Sequence, residues 1–514
     1  MTEEQVLNNI NGYQLDDKQR KVVTSNDKYL LVSAGAGSGK TLTIIGKIRY
    51  LIEIKKLKED EIICISFTNE ATNNLKSKLK ENYGYNVPCY TFHKLGLEIL
   101  KNDNYKITEQ DLLKYTISEY FKGLININSK NKKRILTYLK IRHNNKNYEK
   151  KYKNIQEYDL NRIKILIEKF INLIKSNDYN ETNIISFIKQ EQKKQSKALL
   201  IVILYIYKTY QQELRSKKEI DFSDMISLAT KKVNEKGYPK KIKYIIIDEF
   251  QDTSLVRFNL IKAMLKKTNA NLLVVGDDFQ SIYRFTGCDL SLFVNFTDIF
   301  PNSKILKIEN TYRNSQELID VAGSFIMKNT HQIKKNLKSS KHINKPIEII
   351  YYKDINKTFT KLIEHIYDKT KESILVLGRN NFDINLVTNN SKFTIEGNKI
   401  IYKKNSNINI KYLTAHRSKG LEESNVIIIN LTNKKTGFPN KITDDKILKY
   451  VTCKEDDYPL AEERRLMYVA LTRTKNKTYL LTPEKNESEF IKEIKKNHKK
   501  EIKIVKSKAK KTHF

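Results

Sequence analysis

A chain of 514 residues, 39% hydrophobic and 30% charged, has room for about two to four domains with cores of their own, which excludes a disordered polymer. No apolar run reaches the roughly 20 residues of a membrane span, and the opening MTEEQVLNNI carries acids where a secretory leader carries bases, so no membrane partner and a cytoplasmic location are expected. The formal net charge of +36 points to a polyanion, since neutralised phosphates release counterions; yet Lys, Asn, Ile and Tyr are abundant together, as AT-rich coding also produces, so charge alone establishes only compatibility with a polyanion.

In chain order, the apolar run YLLVSA at 29–34 predicts a strand that feeds AGAGSGKT at 34–41 and then the helical pattern TLTIIGKIRYLIEI. Strand, loop and helix in that order form the context of a phosphate-binding loop. Gly35, Gly37 and Gly39, with Ala36 and Ser38 between them, let backbone N–H groups close around phosphate oxygens at a helix N-terminus. Lys40 is placed to reach the β and γ phosphates and Thr41 to hold Mg²⁺. The strict pattern has glycine where this chain has Ala34.

EIICISF at 61–67 predicts a second strand. Four cysteines, Cys64, Cys89, Cys288 and Cys453, lie far apart and form no zinc or disulfide pattern. Between residues 95 and 206 the texture changes to long Lys/Asn/Ile/Tyr-rich stretches with helical spacing, such as YDLNRIKILIEKFINLI, which predict an inserted helical domain. YIIIDE at 244–249 and NLLVVGD at 271–277 resume the strands. The first of these ends in Asp248 and Glu249, one carboxylate for Mg²⁺ and one to orient and deprotonate an attacking water.

A second set of strands is predicted at SILVLGR (373–379), IKYLTAHR (410–417), SNVIIINL (424–431) and TYLLTP (478–483). Strands alternating with helices give an α/β class with parallel sheets. One α/β unit is expected over 1–94 and 207–304 and another over 305–491. The lysine-dominated stretch 492–514 is expected to be a solvated tail or frayed helix. No repeat of 20 to 50 residues is visible.

Phosphate loop and acidic pair together predict nucleoside triphosphate hydrolysis, and kinases, GTPases and transporters share them. Discrimination comes from VVGDDFQSIYRFTG (274–287), LKIENTYRNSQEL (306–318), YLTAHRSKGLEESNVIIINL (412–431) and EERRLMYVALTRTKNKTYLL (462–481). With LDDKQRKVV, SFTNEATNNLKSKL and YTFHKLGLEIL before them, these segments in order resemble the motif set of the UvrD/Rep/PcrA helicases of superfamily 1A.

That resemblance implies two RecA-like motor domains, 1A and 2A, a helical 1B insert, and ATP-driven 3′ to 5′ movement along single-stranded DNA with unwinding at junctions with duplex, in repair, replication or recombination. It assigns Gln19 to the adenine edge, Tyr312 to stacking on the adenine ring and Glu422 to the nucleotide. Gln280 is implied to couple the γ-phosphate to the strand, and Arg313 and Arg473 to reach that phosphate from the second domain. It places Phe67, Tyr283, Phe285, His93 and His416 along the strand.

Two departures stand out. Trp-Arg-Gly of the family is here Phe285-Thr286-Gly287, and the interval between Arg313 and Thr414 leaves little room for a 2B domain, as in helicase IV and its relatives. A non-unwinding motor beside a nuclease or repair protein, or in phage defence, is the alternative reading. A basic binding protein without catalysis is a further one, disfavoured by the full set of catalytic residue types.

Overall fold

The computed structural model describes residues 1–108, 111–123, 125, 128–453 and 458–506. Its first eight strands are β1 (Tyr29–Ala34), β2 (Ile62–Ser66), β3 (Cys89–Thr91), β4 (Lys106–Ile107), β5 (Glu219–Ile220), β6 (Tyr244–Ile247), β7 (Asn271–Gly276) and β8 (Lys304–Ile308). Among the described residues β4 and β5 pair only with one another. The other six form a parallel sheet in the order β3-β2-β6-β7-β1-β8.

The unbroken apolar runs follow from helices covering both faces of this sheet. Leu31, Ile245 and Ile247 enter one core, and their neighbours Leu30, Val32, Tyr244 and Ile246 enter the other. All strands being parallel, the segments after β1, β2, β6 and β7 emerge at one edge, where open α/β sheets bind ligands.

The second eight are β9 (Ile347–Tyr352), β10 (Ile374–Gly378), β11 (Phe393–Glu396), β12 (Lys399–Tyr402), β13 (Ile410–Thr414), β14 (Glu423–Ile428), β15 (Thr474–Pro483) and β16 (Ile502–Val505). They form one sheet, β11-β12-β13-β10-β14-β15-β9-β16, parallel except along β11-β12-β13. Between residues 389 and 410 the chain makes only the β11–β12 hairpin, turning at Gly397 with φ 59°. Both sheets belong to RecA-like α/β units, the expected class.

Helices between the strands of the first sheet build a separate core from Leu112 to Leu214. In the helix Glu157–Ser176, Ile163, Ile167, Phe170, Ile171 and Ile174 are buried, the spacing of one helical face. The expected boundaries at 94/95 and 206/207 fall inside the helices Phe92–Leu100 and Lys194–Lys217, and that at 304/305 falls inside β8 of the first sheet. The reason is that each helix serves one core continuously: Leu95, Ile99 and Leu100 pack under the first sheet, and Tyr207, Tyr210 and Leu214 in the helical core.

The expected solvated tail is corrected up to residue 506. Helix Glu489–Asn497 buries Phe490, Ile491 and Ile494, and β16 extends the second sheet along β9. The lysines occupy the outer face of an amphipathic element whose few apolar residues are correctly spaced. Residues 507–514 lie outside the described ones. Among the described residues no helix is long and apolar enough to cross a membrane.

Candidate nucleotide and strand site

The loop 35–39 leaves β1 and turns into the helix Lys40–Glu53, with Gly37 at φ 71° and Gly39 at φ 78°. That left-handed backbone is strained for residues with a Cβ, and a methyl group on Gly37 would lie 2.5 Å from Arg313 Cβ. Ala34 is the last residue of β1, paired in register with Ile308; extended backbone there accepts any residue, so the departure from the strict pattern costs nothing. The buried Ser38 hydroxyl has no hydrogen-bond partner among the described residues.

The segment 311–313 crosses directly over this loop. Thr311 Oγ1 donates to Ala36 O at 2.7 Å, and Tyr312 N to Gly37 O at 3.0 Å. Tyr312 is 60% exposed, and its hydroxyl donates to Asp16 Oδ2 at 2.8 Å. Gln19 closes a capping box with Asp16 and donates from Nε2 to Ser38 O at 3.0 Å. Gln19 and Tyr312 therefore flank the phosphate loop, with an exposed ring and a side-chain amide beside it.

Lys40 Nζ lies 2.8 Å from Glu249 Oε1. Burial works against the Lys40 charge, but Glu249, Asp248 and Asp277 outweigh it and raise its proton affinity. Burial likewise opposes the Glu249 charge, yet Lys40 and Lys419 pull its carboxyl down to about 2. Asp248 moves the other way, to about 6, through burial and the adjacent Glu249 charge. Neighbouring carboxyls with divergent proton affinities sit in sharply different environments, the setting in which two acids take different roles. The Thr41 hydroxyl and the Asp248 carboxylate are hard oxygen donors, the kind that suits Mg²⁺.

The turn before β15 and the segment after β8 supply cations to this edge of the first sheet. Arg473, 1% exposed, donates from Nη2 to Gln280 Oε1 at 3.1 Å and from Nε to Val469 O at 2.9 Å. Burial and the charge of Arg313 both oppose its protonation, pushing it down to about 9. Arg313 Nε pairs with Glu422 Oε2 at 2.7 Å. An anion entering between these guanidiniums would relieve their repulsion.

Two lysines that sequence reasoning did not single out tie the units together. Lys419 Nζ reaches Asp252 Oδ2 at 2.5 Å and Gln280 O at 2.7 Å. It stood in the HRSKGLE segment, so a signal existed. Lys335, fully buried, meets Asp277 Oδ1 at 2.5 Å and Asp278 Oδ1 at 2.6 Å and lies 3.8 Å from the centroid of the Phe279 ring. It comes from a loop with no recognisable pattern, and nothing local announces it.

The expected strand residues fall into two groups. Tyr283, Phe285 and His416 sit together: Tyr283 OH donates to His416 O at 3.2 Å, and Phe285, 45% exposed, meets His416 edge-on at 5.5 Å. Burial and the charge of Arg379 hold His416 down to about 4. Phe67 and His93 instead share Arg257, whose guanidinium covers Phe67 at 4.7 Å. Burial, with the Arg257 charge, holds His93 down to about 4. Phe67 also packs on Phe92 at 5.9 Å, so much of its ring serves the core.

The profile of the UvrD/REP helicase N-terminal domain matches residues 15–301, and that of the UvrD-like helicase C-terminal domain matches residues 391–485. DNA helicase IV of Escherichia coli (strain K12) is 27% identical over 503 residues, covering 94% of this chain and 70% of that protein. The ATP-dependent DNA helicase Rep of Buchnera aphidicola subsp. Baizongia pistaciae is 29% identical over 76% of this chain and 55% of its own length. PcrA of Leuconostoc citreum is 27% identical over 66% of this chain, which spans 42% of that relative. The two matched domains cover the loop 35–39, Asp248, Glu249 and Arg473, and the chain belongs to the UvrD/REP helicase family.

Proposed function

We propose that this chain is a cytoplasmic, ATP-driven translocase that moves 3′ to 5′ along single-stranded DNA and separates duplex at single-strand/duplex junctions. The observation that carries the reading is the connection Asp252–Lys419–Gln280–Arg473. It joins the acid-bearing edge of the first sheet to both the Arg473 cation and the loop carrying Tyr283 and Phe285. A shift at the phosphate is thereby passed to the strand, the requirement for converting hydrolysis into steps.

In the chemical step the N–H groups of 35–39 and Lys40 hold the triphosphate, and Arg313 and Arg473 stabilise charge on the transferring phosphoryl group. Thr41 and Asp248 would hold Mg²⁺, which when bound would supply charge neutralisation at the phosphate oxygens. The Lys40 ammonium beside Glu249 lowers the basicity of its carboxylate. Drawing that ammonium onto phosphate raises it and readies Glu249 to take the proton of the attacking water. Glu249→Gln is expected to keep nucleotide binding and lose turnover by about 10²–10⁴-fold, as read by nucleotide affinity beside steady-state kinetics.

Tyr283, Phe285 and His416 form the stacking floor for bases. Phe285→Ala removes one exposed ring, and since stacking is worth ~1–3 kcal/mol per base, half-saturation of ATPase stimulation by single-stranded DNA is expected to need about tenfold more strand. Turnover without DNA changes far less. Equal stimulation in variant and parent, measured by titration with an oligonucleotide, would count against the stacking role.

The decisive measurement is ATP turnover with and without single-stranded DNA; absence of stimulation would sink the proposal. A second reading rests on the β11–β12 hairpin, which stands where the resemblance implies a 2B domain. With 2B absent, the chain would act as a motor beside a nuclease or repair protein and not unwind alone. Strand displacement on a 3′-tailed duplex, with and without co-purified proteins, separates the two.

A further inference from the structure

After β14 the chain leaves the second sheet, and residues 440–453 cross to the helical insert. Ile447, Leu448 and Val451 are buried in the insert's own core. The rings of Phe187 and Tyr450 stack with centroids 4.9 Å apart, Asn177 Nδ2 donates to Val451 O at 2.7 Å, and Lys449 pairs with Glu191 at 3.2 Å. Tyr138 OH of the insert donates to Asp445 Oδ2 at 2.6 Å, and Asp444 pairs with Lys169 of the insert at 2.6 Å and Arg284 of the first unit at 3.4 Å. The chain then returns to the helix Ala461–Leu471, where Glu462 and Glu463 hold Arg284 and Arg379.

Beneath this crossing lies a cavity of about 1270 Å³. It is larger than the roughly 300–1,000 Å³ of small-molecule pockets, and it is lined from four directions. Phe285 comes from the first unit, His416 and Arg417 from the second, Lys169 from the insert and Lys446 from the crossing segment. The acids of the lining are already engaged: Asp444, Glu462 and Glu463 with cations and Asp445 with a phenol. Arg417 and Lys446 are exposed and make no ion pair with the described residues. An aromatic floor beneath uncommitted cations is the recognition chemistry of a single-stranded nucleic acid.

We propose that residues 440–453 are a clasp that closes the strand site into a roofed passage, so that single-stranded DNA is threaded through the molecule instead of lying on its surface. The proposal rests on the strand reading above and deepens it. First unit, insert, clasp and second unit form a closed circuit around the cavity, because the two units already meet at Gln280–Arg473 and Asp252–Lys419. A strand with a free end enters by threading. A strand without an end enters only when the clasp lifts from the insert.

The test locks the clasp in the full chain. In a Cys89→Ser, Cys453→Ser background, Phe187→Cys and Tyr450→Cys are joined by a short bis-maleimide, and binding of a linear oligothymidylate and of a circular single strand is measured. Closure before DNA is added should abolish binding to the circle and preserve binding to the linear strand. Closure after loading should leave the circle bound through a salt wash that strips the unlinked protein. Equal binding of circle and linear strand by the pre-closed protein would overturn the clasp. Failure of the unlinked protein to bind the linear strand would overturn the strand reading itself. An independent variant, Leu448→Ala with Val451→Ala, should release a linear strand to competitor about tenfold faster; an unchanged lifetime would also overturn the clasp.

Discussion

Lys40→Ala is expected to reduce DNA-stimulated ATP turnover by at least about 100-fold, the loss typical of removing one preorganised charge from a phosphoryl or oxyanion site, while single-strand binding persists. The ammonium belongs to the first residue after the loop 35–39 and pairs with Glu249, so its removal is expected to strip the incoming triphosphate of a close counter-charge. The rings proposed to stack the strand lie elsewhere, around Phe285 and His416, whereas Lys40 pairs with Glu249. Steady-state turnover and fluorescence anisotropy with the same oligonucleotide check both halves. Full turnover in the variant would remove the phosphate loop from the mechanism.

Lys335→Met is expected to cost about 3–5 kcal/mol of stability, because it strands two fully buried carboxylates. Asp277 and Asp278 are both 0% exposed and have Lys335 as their common cation. Adding Asp278→Asn should recover part of the loss, since one buried charge then disappears; a urea unfolding series on the single and double variants tests this. The pH dependence follows in sign. Burial raises the Asp278 carboxyl above its ordinary 3.8, and losing Lys335 raises it further. A carboxyl whose folded value exceeds its unfolded value takes its proton preferentially when folded. The single variant therefore gains stability relative to the parent as pH falls from 7 toward 3.8.

The strand, turn and helix around residues 29–53 and the strand that ends before Asp248 are legible because their signals are local, and elements in immediate succession leave few alternatives. The two faces of the first sheet were legible as elements but not as faces, since runs such as YIII are apolar at every position and only packing shows that alternate residues serve opposite cores. Lys335 was illegible for a physical reason. A lysine in a polar loop reads as solvated, and the acids that justify its burial stand more than fifty positions earlier. Lysine density likewise hid Phe490, Ile491 and Ile494, whose spacing matters more than their number. The segment 440–453 reads as a charged surface loop, yet Ile447, Leu448 and Val451 are enough to anchor it in a distant core.

That last feature also bears on how the chain is made. The helical core spans Leu112 to Leu214 but is completed by Ile447, Leu448 and Val451. A ribosome adding about 5–20 residues per second needs roughly 12 to 50 s to cover the roughly 240 residues between Leu214 and Val451. Throughout that interval the nascent insert presents an uncovered apolar seam, and its sealing has to await the second unit. Synthesis stalled before residue 440 should accordingly leave the insert open to protease and to chaperone capture, whereas release after residue 453 should protect it.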